Sequence, residues 1–137
     1  MKGRKPKPTV VKLVTGNPGR RPLNKREPKP KPGLPTPPGH LMAEAKTEWR
    51  RVAKYLHAMG LLTALDRAAV AVYCQAYGRW VRAELALEAM AEKEPATQAL
   101  LMKTKSGNLI QNPLVGVANK AMDMMLKRLF EMATRWV

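Results

Sequence analysis

The chain has 137 residues, 25 Lys and Arg against 10 Asp and Glu, and a formal net charge of +15 at pH 7. That length suits one small domain with a tail and is too short for a TIM barrel or a complete dinucleotide-binding domain. With 45% hydrophobic residues the whole is not disordered, its single cysteine excludes an internal disulfide framework or a Cys-rich zinc site, and its charge makes nucleic acid the first partner to consider, ahead of an acidic protein or an anionic membrane. No apolar run reaches the roughly 18 residues of a membrane span, and no apolar h-region follows the basic N-terminus, so neither a membrane segment nor a secretory signal is expected. The lone Cys74 suits a reducing cytoplasm.

Composition changes near residue 39. Residues 1–39 hold 10 of the 12 prolines and 11 basic residues against one acid, Glu27, so this stretch carries +10 and the rest +5. Proline lacks an N–H and restricts the residue before it, which argues against helix or central strand. Lys29-Pro30-Lys31-Pro32 and Pro35-Thr36-Pro37-Pro38 favour extended polyproline II, and Asn17-Pro18-Gly19 reads as a turn. Val10, Val11, Leu13 and Val14 form a short apolar patch. The division expected is a disordered, basic, proline-rich arm over 1–39 and a helical oligomerisation and DNA-binding domain over 40–137. The arm is either a nucleic-acid-binding segment or a solubilising linker.

The body predicts an all-α fold of three helices. In the first, about 42–58, Ala45, Trp49, Val52, Ala53, Leu56 and Met59 recur at spacings of three and four, and Gly60 is its stop. The second, about 63–93, opens with Thr63 and Asp66, a relative of the capping box. Leu65, Ala69, Val72, Ala76, Trp80, Ala83, Leu87 and Met90 make one apolar stripe. Ala68, Val70, Ala71 and Tyr73 make the other side apolar as well, so burial on two sides is expected. In so small a body this points to subunit contacts, with Leu65, Ala69, Val72, Tyr73, Ala76, Tyr77, Trp80 and Leu87 as candidates. Gly78 marks either a close approach of another element or a tolerated helix glycine. Glu94-Pro95 ends the helix. Residues 98–111, with Ser106-Gly107-Asn108 between apolar pairs, are either a short β-hairpin or a loop. Asn112-Pro113 then opens the third helix, about 113–135. The methionines clustered there read as core filler ahead of an adaptable surface.

No constellation for catalysis is apparent. His40 and His57 lack metal-binding company, Cys74 sits in an apolar stretch, and Gly16-Asn17-Pro18-Gly19-Arg20 lacks the Gly-Lys-Ser/Thr of a phosphate loop. No enzyme activity, cofactor or metal is expected. The candidates for phosphate contact are Arg4, Lys5, Lys7, Lys12, Arg20, Arg21, Lys25 and Arg26 of the arm, with Arg50, Arg51, Lys54, Arg67, Arg79 and Arg82 of the body. The first two helices form a pair similar to a helix-turn-helix, with Gln75 as a candidate base reader, though it lies mid-helix rather than in the first turn.

Three blocks resemble phage terminase small subunits. The first is Gly3-Arg4-Lys5-Pro6-Lys7-Pro8-Thr9, Gly16-Asn17-Pro18-Gly19, Arg21-Pro22-Leu23-Asn24 and Glu27-Pro28-Lys29-Pro30. The second is Trp49, Gly60-Leu61-Leu62-Thr63, Leu65-Asp66-Arg67, Tyr73-Cys74, Ala76-Tyr77 and Arg79-Trp80. The third is Thr104-Lys105-Ser106-Gly107-Asn108 with Gln111-Asn112-Pro113. Members commonly continue past the last helix with a Gly-Leu-Thr-Pro-Ser-x-Arg-like stretch, which this sequence lacks. The resemblance implies a non-catalytic, ring-forming homo-oligomer that recognises double-stranded viral DNA. It would load or regulate the large terminase subunit, the ATPase and nuclease of genome packaging, in the host bacterial cytoplasm. A basic helical transcription or RNA-binding regulator is the alternative.

Overall fold

The computed structural model describes residues 9–20, 22–26 and 33–135. The chain divides into two compact units, Met1–Pro30 and Lys31–Val137. The expected disorder of residues 1–8, 21 and 27–32, and the candidate contacts of Arg4, Lys5, Lys7 and Arg21, lie outside the described residues.

In the first unit, α1 (Thr9–Val14) is a fourth helix that the proline-rich composition does not predict. It occupies the proline-free interval between Pro8 and Pro18. Asn17 N–H bonds Lys12 O at 2.8 Å and Gly16 N–H bonds Leu13 O at 3.1 Å, which closes the helix in a Schellman arrangement. The expected turn follows, with Arg20 N–H bonding Asn17 O at 2.8 Å.

The second unit contains the three expected helices. α2 (Ala43–Ala58) ends at Gly60, whose φ of +69° is the left-handed conformation that glycine adopts freely. Leu61 N–H reaches Leu56 O at 2.8 Å and Gly60 N–H reaches His57 O at 2.9 Å, again the Schellman pattern. The expected capping pair forms: the Asp66 carboxylate accepts Thr63 N–H at 3.0 Å and Thr63 Oγ–H at 2.7 Å. A 3-10 turn, Ala64–Asp66, leads into α3 (Arg67–Lys93). α3 stops at Glu94, before Pro95.

β1 (Leu101–Lys103) and β2 (Leu109–Gln111) form an antiparallel ribbon in which Met102 faces Ile110. The 98–111 segment is thus a hairpin, and the body is mostly helical rather than purely so. Gly107, at φ +86°, makes its turn, and Thr104 N–H bonds Asn108 O at 2.9 Å. Asn112 is buried at the foot of the ribbon. Its Nδ2 donates to Ala99 O at 2.8 Å, its Oδ1 accepts Leu114 N–H at 3.0 Å, and its own N–H reaches Leu100 O at 2.8 Å. One side chain therefore caps α4 (Pro113–Arg135) and fastens the ribbon to the helices.

α3 is the central element, with α2 and α4 both packed on it. Leu41, Ala45, Trp49, Ala53, Leu62, Val70, Ala71, Tyr73 and Cys74 form the core, with Met42, Met125 and Met132 packed against it as filler. The apolar circumference of α3 is thus absorbed largely inside one chain. The inference that two-sided burial needs other subunits is corrected to that extent, because α2 covers one side and α4 another. Gly78 is the close approach: a Cβ there would meet Ala45.

Candidate nucleic-acid interface

Arg50 and Lys54 stand one turn apart on the exposed side of α2. Between them and the extended segment 34–37 lies a small groove of about 250 Å³, lined by Leu34, Pro35, Thr36, Pro37, Trp49 and Ala53 as well. The end of the proline-rich stretch is therefore laid against α2. Gly33 N–H bonds Leu62 O at 3.3 Å, and Arg67 Nε donates to Thr36 O at 2.8 Å. Arg67, a candidate phosphate contact, thus also tethers this segment.

Two other candidate arginines are ion-paired. Arg51 meets Glu48 twice, at 2.8 Å through Nε and 2.5 Å through Nη2, and Tyr73 Oη–H donates to the same carboxylate at 3.1 Å. Glu48 is only 4% exposed, while the Arg51 side chain is 60% exposed. The hydrogen bonds and charge of Glu48 hold the Arg51 guanidinium more firmly protonated than usual. Burial, and then the Glu48 carboxylate, push the Tyr73 phenol up to about 12. Arg82 Nε lies 3.2 Å from Glu44, whose carboxyl is held below its usual range by its own backbone N–H and by Arg82. These pairs cancel much of the local charge. Arg50, Lys54 and Arg79 form no ion pair among the described residues. In the first unit, Arg20, Lys25 and Arg26 are exposed and Lys12 is half-buried.

Gln75, the candidate base reader, is half-buried and lines the groove that Arg67 and Arg79 also border. Its Oε1 accepts Met42 N–H at 3.2 Å and so holds the start of α2. Its mid-helix place gave no sign of that, because the partner lies 33 residues away.

The candidate oligomerisation residues separate into groups. Tyr73 and Ala76 are buried within the chain. Ala69, Tyr77, Trp80 and Leu87 are half-buried, with Tyr77 and Trp80 in an edge-to-face contact at 5.9 Å and Trp80 Nε1 donating to Glu84 at 3.0 Å. Leu65, 78% exposed, and Val72 line a groove of about 890 Å³ with Ala68, Ala71, Met124 and Arg79.

Burial pushes the Cys74 thiol up to about 12, the opposite of an activated nucleophile. No group of three or more His, Cys, Asp or Glu able to hold a metal occurs among the described residues. None of their helices is long and apolar enough to cross a membrane.

A search of curated proteins and a search of solved structures returned no match. A family model described as phage terminase, small subunit, matches residues 45–133, from the third residue of α2 to two residues before the end of α4. Those residues include Trp49, the Thr63–Asp66 cap, Gly78, the ribbon and Asn112, so the match spans nearly all of α2, α3, the ribbon and α4, and the chain belongs to the phage terminase small-subunit family.

Proposed function

We propose that this chain is the DNA-recognising small subunit of a packaging terminase. In this reading it assembles into a homo-oligomeric ring, binds double-stranded viral DNA in the host bacterial cytoplasm, and loads or regulates a large subunit that carries the ATPase and nuclease. The observation that carries the reading is the family match across the helical unit. The net charge of +15 and the unpaired Arg50 and Lys54 on one helix face support DNA as the partner. The chain itself performs no catalysis in this scheme. It acts by holding DNA and altering what its partner does to it.

The test uses the purified chain alone, then with a matching large subunit and viral DNA. The chain alone should neither hydrolyse ATP nor cut DNA with Mg²⁺, and it should change both activities of the large subunit. Metal-dependent cleavage that co-purifies with the chain through further columns would overturn the assignment. An effect on transcription or RNA without any on the large subunit would favour a regulator instead.

A further inference from the structure

The chain has ten acidic residues, and four of them, Glu84, Glu88, Glu92 and Glu94, fall within eleven positions. Glu84, Glu88 and Glu92 repeat every four residues along α3, an arrangement in which like charges destabilise a helix. Glu92 also stands in the last turn, where the helix dipole favours cations. Glu88, Glu92 and Glu94 form no ion pair among the described residues, although the chain is rich in Lys and Arg. Glu88 and Glu92 border a groove of about 500 Å³ with Leu87, Ala91, Pro95 and Gln98. The groove thus joins an apolar floor to an uncompensated negative rim.

The β1–β2 ribbon has the opposite character. All six of its strand residues are exposed. The pairing puts Met102 and Ile110 on one face, and Leu101, Lys103 and Leu109 on the other. Both faces therefore show apolar side chains to solvent, and an isolated two-stranded ribbon is marginal in water without something to pack on. Lys103 and Lys105 form no ion pair among the described residues. Lys103 ends β1 and Lys105 lies in the turn that follows, so both cations sit toward the tip of the ribbon.

We propose that the β1–β2 ribbon of one copy seats in the Glu88–Glu92 groove of a second copy. Leu101 and Leu109 cover Leu87, Ala91 and Pro95, and Lys103 and Lys105 neutralise the glutamates. The contact joins two different patches, and when it is repeated in one direction around an axis it is head-to-tail and generates a closed ring if its rotation closes. This rests on the reading of the chain as a self-assembling small subunit, and it adds which surfaces meet.

The test is charge reversal. Full-length Glu88→Lys/Glu92→Lys and full-length Lys103→Glu/Lys105→Glu are compared with the parent by light scattering across concentration, with circular dichroism to check helix content. Each variant alone should assemble at least tenfold more weakly. Mixing the two should restore assembly in alternating copies, because each then offers the other a complementary patch. A single chain with all four reversals should also assemble. Folded variants that keep the parent mass, or a mixture that stays dissociated, would overturn the pairing while leaving self-assembly intact. A parent chain that is monomeric at every concentration would overturn both.

Discussion

Gly78 and Ala45 touch backbone to backbone where α3 passes α2: a Cβ on Gly78 would lie 3.2 Å from Ala45 N and 3.3 Å from Ala45 Cβ. Elsewhere in a helix, replacing glycine by alanine gains about 1 kcal/mol. Here that gain is opposed by a clash with backbone in the middle of the core. Gly78→Ala is therefore expected to be no more stable than the parent, and Gly78→Val to lose about 1–3 kcal/mol through overpacking. Urea unfolding measures both, and a Gly78→Val chain as stable as the parent would refute the close approach.

Asn112 does two jobs with one amide, and substitution separates them. Asn112→Ala leaves Ala99 O and Leu114 N–H without their side-chain partner and should lose about 1–3 kcal/mol. Asn112→Asp keeps an acceptor for Leu114 N–H but sets a carboxylate oxygen against the Ala99 carbonyl. It should keep α4 capped while loosening the ribbon. Amide exchange at residues 101–111 reads the second effect, and unchanged protection there would assign the ribbon's anchorage to other contacts.

Tyr73 and Cys74 tie stability to alkaline pH. Both groups are pushed up to about 12 in the fold by burial. Ordinary values near 8.5 for a thiol and about 10 for a phenol apply once the chain unfolds. A raised acid favours the fold fully below its unfolded value, and that advantage is lost as pH climbs toward the folded value. The melting temperature should hold to about pH 8.5 and then fall progressively toward pH 12. Cys74→Ala with Tyr73→Phe should flatten that decline. At pH 8, Cys74 should resist iodoacetamide until the chain is unfolded; rapid native labelling would contradict its burial.

The DNA reading gives the arginines unequal weights. If Arg50 and Lys54 each touch a phosphate, Arg50→Ala/Lys54→Ala should reduce the slope of log affinity against log salt by about 1.8 per subunit engaged. Arg82→Ala removes a cation already paired with Glu44 and should change the slope less. Removing residues 1–30 tests the first unit's share. Equal slopes for all these variants would put the DNA contacts on other residues.

Much of the helical framework could be read from the residues. Gly60, Thr63 with Asp66, Pro95 and Asn112-Pro113 each mark an end by local chemistry, and local chemistry is visible in one sequence. Less legible were features made by distant partners. The Arg51–Glu48 pair is near in sequence, but the hydrogen bond that Tyr73 adds to Glu48 comes from another helix. The hydrogen bond from Met42 N–H to Gln75 is not visible in the sequence, because its two ends are 33 residues apart. The two-sided apolar character of α3 is visible in the sequence, but periodicity reveals faces and not which neighbours cover them. α1 escaped notice because proline content was averaged over 39 residues, which concealed its proline-free interval.

Residues 33–36 pack beside Trp49 and Ala53, and their hydrogen bonds, Gly33 to Leu62 and Arg67 to Thr36, both end at the α2–α3 junction. Any tension on the chain N-terminal to Gly33 is thus delivered to that corner and not along a helix axis. The anchorage of this segment and the corner between the two helices therefore share the same residues, Leu62 and Arg67.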